Sequence, residues 1–234
     1  MNNLEFLQII KESFLTCLNT SPRSNEKLKI LHSAISVDVN TRLNDNKYTL
    51  KSLGYGTGQE QKVKGRYVDK AVDITILENG TSIAGIAVKF VMSNYSQNSN
   101  NYFENMLGET ANIRCARIPY YQVFIIPDKV PYYDKANYIK HWEKISEHNL
   151  SKYINLSHDN IDMFLHTPNK TFIGIIHLSG DSTNIRTKQD YSNYYLNNDF
   201  EVTYSTNDIN FGTSIIYNNY ELFAEKVTNG IKSL

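Results

Sequence analysis

Apolar positions recur at helical spacing through the first forty residues. Leu4, Leu7, Ile10, Phe14 and Leu18 share one face, which predicts an amphipathic helix over residues 3–18. Residues 19–24, with Pro22, end it. A second helix is expected over 25–43, with Leu28, Leu31, Ile35 and Val39 on one face and Ser24 as N-cap. The pattern then changes. Residues 71–77 and 83–91 are Ile- and Val-rich runs of strand length, separated by Glu78-Asn79-Gly80. Asn-Gly tolerates the positive backbone angles of a tight hairpin, so the two runs are expected to pair. A helix is predicted over 100–115. Residues 120–126, just before Pro127, and residues 171–178 are nearly continuous apolar runs, as buried strands are. Residues 133–147, with Ile139, Trp142 and Ile145, read as a further helix. After Gly180 the chain turns polar and Tyr-rich. Weak strands at 200–205 and 211–216 then precede a closing helix over 218–232.

This order argues for an α/β fold, a central mixed β-sheet flanked by helices. One domain is expected over 1–234, with a helical part at 1–50, a core at 60–180 and an appendage at 181–234. The chain has 234 residues, 41% of them hydrophobic and 21% charged, and a formal net charge of zero. Global attraction to nucleic acid is therefore absent, and any such contact has to come from a local basic stripe. Two cysteines, Cys17 and Cys115, are too few for a disulfide scaffold, so a reducing cytoplasm is expected. Neither a signal peptide nor a membrane span is read.

The chemistry concentrates in the predicted hairpin. Asp73 lies near the start of its first run, and Lys89 interrupts the second, in IAGIAVKFVM. A carboxylate and an ammonium at one end of adjacent strands suit metal-assisted phosphodiester hydrolysis. The acid holds a hard cation, and the lysine stabilises phosphate charge or orients water. The plainer alternative is an ion pair on an edge strand, where lysine blocks aggregation.

The segment resembles the PD-(D/E)xK nuclease superfamily, in particular type II restriction endonucleases. Asp73 in VDITI matches the first acid, and Lys89 in IAVKF matches the lysine. No Pro precedes Asp73, and Ala87 stands where the family carries Asp or Glu. One branch of these enzymes relocates the second acid to the following helix. Glu104 and Glu109, in NYFENMLGETANIR, are the candidates. Glu104 shares a small-residue face with Gly108 and Ala111, which favours it; Glu109 lies with Tyr102, Met106 and Ile113. The resemblance also makes Glu60 a possible additional acid, against a solvated loop residue. It implies a restriction-endonuclease-like core and a Mg²⁺-dependent endonuclease cutting double-stranded DNA at a specific sequence. Asp73 and Glu104 or Glu109 would hold the metal, and Lys89 would serve the water. A twofold homodimer follows from cutting both strands of a palindrome. A cognate methyltransferase outside any physical complex is the other partner implied.

Lys62, Lys64, Arg66 and Lys70 are read as phosphate contacts, with Arg114 and Arg117 on the same rim. Asn94, Gln97, Asn98 and Asn101, in or beside the polar run 93–101, are candidate base-reading amides. GYGTGQEQKVKG lacks the Gly-Lys-Ser/Thr ending of a phosphate loop. His141 and His148 are too far apart for a helical zinc pair, and His177 is read as a core histidine. Two other readings remain: a nuclease-fold protein that binds nucleic acid without cutting, and a non-catalytic interaction protein.

Overall fold

The computed structural model describes residues 1–20, 24–181 and 183–234. The break expected at Pro22 lies outside them. Helix α1 (Asn3–Asn19) begins in a capping box between Asn2 and Glu5. Helix α2 (Glu26–Leu43) follows. Its N-cap position is Asn25, with no side-chain cap, and Ser24 Oγ instead accepts the Glu26 N–H at 3.3 Å. Strands β1 (Tyr48–Ser52), β2 (Gln61–Lys64), β3 (Asp69–Val72), β4 (Ile74–Glu78) and β5 (Thr81–Phe90) come next. Helix α3 (Tyr95–Arg114) then leads into β6 (Tyr120–Pro127), β7 (Lys129–Tyr133), β8 (Ile139–Lys144) and helix α4 (Glu147–Ser157). Strand β9 (Lys170–Leu178), helix α5 (Lys188–Asn197), β10 (Val202–Tyr204), β11 (Ile215–Tyr217) and helix α6 (Tyr220–Lys232) complete the chain.

Among the described residues, the central sheet has seven strands in the order β1-β4-β5-β6-β9-β10, with β11 also on β9. Strands β1, β4 and β5 run antiparallel in turn, whereas β5, β6 and β9 are parallel. The appendage expected at 181–234 thus adds strands β10 and β11 to the β9 side of the sheet, together with helices α5 and α6. The β4–β5 turn is the expected one, with Asn79 at φ 49° and Gly80 at φ 84°.

Strand β6 is buried throughout because helices cover both sheet faces. Tyr121, Val123 and Ile125 meet a cluster holding Phe6, Ile35 and Phe223 from α1, α2 and α6. Phe124 and Ile126 meet the other cluster, with Met106 of α3 and Tyr153 of α4. The period of two survives inside a buried run that is apolar except for Gln122.

Several expectations are corrected. The helix predicted over 133–147 is the β7–β8 hairpin followed by α4. Asp134 accepts the N–H groups of Ala136 and Tyr138, and Asn137 adopts φ 66°, so a turn closes where a helix would have to continue. The polar run 93–101 is largely the start of α3. Its first free N–H groups, on Tyr95 and Ser96, are capped by the Glu143 carboxylate of β8, at 2.7 and 3.0 Å. Helix α5 lies in the polar, Tyr-rich stretch, and β2 in the glycine loop. His177 is exposed rather than core, its Nδ1 2.9 Å from Asp128 Oδ2. Among the described residues, no helix is long and apolar enough to cross a membrane.

Candidate active site

The run read as one strand over 71–77 breaks at Asp73. β3 pairs with β2 in a separate ribbon, β4 enters the main sheet, and Asp73 is the single residue between them. Its Oδ2 accepts the Val88 N–H at 2.7 Å, in place of a backbone carbonyl. The side chain is thereby fixed against β5. Burial pushes the Asp73 carboxyl up to about 6; the Val88 N–H, Lys70 and Lys89 oppose that, and Glu109 adds to it.

Lys89 sits on β5, between β4 and β6, so it guards no edge. Alternation puts Gly85, Ala87 and Lys89 on one sheet face, and the parallel register sets Tyr120, Gln122 and Phe124 beside them. Lys89 Nζ lies 4.3 Å from the centre of the Tyr102 ring. Burial lowers its pKa, and Asp73 opposes the shift. The two groups form no direct ion pair, although both line one cavity of about 610 Å³. The edge-strand ion pair is therefore not what the fold builds.

Gly85 is required here: a Cβ would come within 2.8 Å of the Tyr120 ring. That ring carries its hydroxyl to Glu109 Oε1 in a short hydrogen bond, while Glu109 Oε2 pairs with Lys70 Nζ at 2.7 Å. Glu109 is thus fixed from two sides on the cavity wall. Glu104 also lines the cavity, but it is exposed and its charge is felt by Lys152. The small-residue face that favoured Glu104 is not the face α3 turns to the sheet. Met106 and Ile113 are buried there, and Glu109 travels with them.

Glu60 precedes β2, and its carboxyl is raised first by burial and then by the charge of Asp73. It reaches Asp73 together with His32, which sequence reasoning missed. Lys29, His32 and Ser36 form one stripe of α2 at i, i+3 and i+7. Ser36 Oγ bonds Ser52 Oγ at 2.8 Å at the end of β1, and Gly54 packs against the backbone oxygen of Lys29. The loop after β1 therefore runs back along α2, bringing Glu60 beside His32. One ligand atom from each of His32, Glu60 and Asp73 lies within 4.8 Å of the others. His32 is 1% exposed, and neither ring nitrogen has a hydrogen-bond partner. Burial pushes its pKa down to about 4, against the Glu60 charge.

The expected DNA contacts divide. Lys62, Lys64, Arg66 and Arg117 are exposed, and the last three of these line a shallow notch of about 410 Å³. Lys70 is engaged with Glu109. Arg114 donates to the carbonyls of Ile161, Phe164 and Thr167, which fastens α3 to the loop before β9. Asn94 is a structural clamp, exchanging two hydrogen bonds with the Tyr133 backbone and meeting Gln97. Asn98 bonds the Asn94 carbonyl, and Asn101 is exposed. Asn112, missed by sequence reasoning, ties the β2–β3 turn to α3. Its Oδ1 accepts the N–H groups of Tyr67 and Val68, and its Nδ2 donates to the Val68 carbonyl. No family model matches the chain, and the searches of curated proteins and of solved structures likewise return no match.

Proposed function

We propose that this cavity hydrolyses phosphodiester bonds of double-stranded DNA in the manner of a metal-dependent type II restriction endonuclease. One observation carries the reading. Asp73, at the head of β4, and Lys89, on the neighbouring β5, meet at the wall of a single solvent-connected cavity, with a third charged group, Glu109, fixed beside them. The antiparallel β1-β4-β5 arrangement followed by parallel β6, with α3 crossing between, supports the same core.

The donor set fits a hard dication such as Mg²⁺. Asp73 and Glu60 supply carboxylate oxygens at metal-ligand spacing, and Glu109 adds its negative charge nearby. Beside Ala87, where the family carries an acid, the register sets Gln122, whose buried side-chain oxygen has no hydrogen-bond partner. A dication bound there would neutralise phosphate charge and make water more acidic. The chain's own groups do the remaining work. Lys89, its charged form disfavoured by burial, orients water and balances charge on the phosphate oxygen. Tyr120 and Lys70 hold the Glu109 carboxylate still. Lys62, Lys64, Arg66 and Arg117 position the backbone without reading sequence.

Supercoiled plasmid of mixed sequence, incubated with the protein and Mg²⁺ or Mn²⁺, is expected to become nicked and linear, and EDTA to stop the reaction. Lys89→Gln should slow it by about a hundredfold or more. Plasmid that stays supercoiled with either metal, while DNA binding persists, would favour a binding protein, the reading that Ala87 keeps open.

A further inference from the structure

The paired features around His32 ask for a ligand. A buried imidazole whose two nitrogens both lack partners carries an uncompensated desolvation cost. Two carboxylates stand against it at metal-ligand spacing. We propose that His32, Glu60 and Asp73 form a mixed nitrogen–oxygen site for a first-row transition-metal dication, Mn²⁺, in preference to Mg²⁺. The site deepens the nuclease reading by sharing Asp73 and Glu60 with it, but it needs no DNA cleavage to exist.

The selectivity follows from donor chemistry. Mg²⁺ takes oxygen ligands and sheds water reluctantly, so an imidazole adds little to its binding. Mn²⁺ accepts carboxylate and imidazole together and lies above Mg²⁺ in affinity for nitrogen donors. The fold supplies the rigidity such a site needs. His32 is held by the α2 stripe packed on Ser52 and Gly54, and Asp73 by the Val88 N–H, which leaves Oδ1 free for a ligand.

The test is metal binding to the full chain without DNA. Titration calorimetry should show Mn²⁺ binding at least about tenfold tighter than Mg²⁺. Pulsed electron paramagnetic resonance of the Mn²⁺ complex should show ¹⁴N modulation from a directly bound imidazole. His32→Leu should erase that modulation and the tenfold preference while leaving Mg²⁺ affinity unchanged. Its metal-free thermal midpoint should not fall, because no hydrogen bond is lost. Should that variant fail to fold, wild-type ¹⁴N modulation and the loss of Mn²⁺ affinity in Glu60→Gln decide the matter alone. Equal affinity for the two metals, or a Mn²⁺ complex without ¹⁴N modulation, overturns the site. Mn²⁺ held through His32 with no DNA cleavage would sink the nuclease reading and uphold the site. Mg²⁺-driven cleavage with no nitrogen ligand would do the reverse.

Discussion

At the scale of single residues, the site is a balance of opposed burial costs. Asp73 holds a proton more tightly in the folded protein than in the unfolded chain, its pKa rising from 3.8 to about 6. Its contribution to stability is therefore full below about pH 4 and lost as pH climbs to about 6. His32 runs the other way, its pKa falling from 6.5 to about 4. Its contribution is present above pH 6.5 and lost as pH drops through that window. Each effect is worth up to about 3 kcal/mol, so in EDTA the wild-type stability should be nearly flat between pH 4 and 6.5. Single substitutions should unmask the two slopes. Asp73→Asn is expected to lose stability toward acid, and His32→Leu to gain it, as read from urea midpoints across this range. Slopes of one sign in both variants would mean that these two groups do not set the profile.

At the scale of elements, α3 decides which acid is held at the cavity wall. Glu109→Gln is expected to lower cleavage by about a hundredfold or more, because it removes charge from a carboxylate fixed by Tyr120 and Lys70. Glu104→Gln should stay within about threefold of wild type, because its side chain is exposed and unanchored. Plasmid cleavage rates for both variants under one metal concentration check this, and the opposite order would return the role to Glu104.

What the sequence revealed follows the range of the forces involved. The Asn79-Gly80 turn, α1, α2, α6 and the buried strands β6 and β9 were legible because turn chemistry and hydrophobic period are local. The β7–β8 hairpin was not, since Ile139, Trp142 and Ile145 also satisfy a helical period and the deciding contacts come from the Asp134 carboxylate. The start of α3 was hidden because its cap, Glu143, is supplied by a strand 48 positions away. Asp73 and Lys89 could be picked out as polar interruptions of apolar runs. His32 could not, because a histidine inside an amphipathic helix gives no sign that a loop will bring Glu60 to it.

At the scale of the whole molecule, the proposed function requires a neutral chain to meet DNA through a local patch. Lys64, Arg66 and Arg117 gather at one notch, beside a β2–β3 turn whose Tyr67 and Val68 are 78% and 63% exposed. Asn112 lines the Asp73 cavity and also holds that turn, so the notch and the cavity share one anchor. Replacing all three cations with alanine should flatten the dependence of log affinity on log salt by about 3. An unchanged slope in fluorescence anisotropy titrations would place the DNA elsewhere.

The central claim is that Asp73 serves the reaction and not the grip on DNA. The most direct measurement pairs single-turnover cleavage with anisotropy titration for Asp73→Asn, side by side with wild type. The account predicts cleavage reduced by about a thousandfold or more, with DNA affinity equal or tighter, since a buried negative charge has been removed. Undiminished cleavage in Asp73→Asn, with its fold intact by circular dichroism, would contradict it.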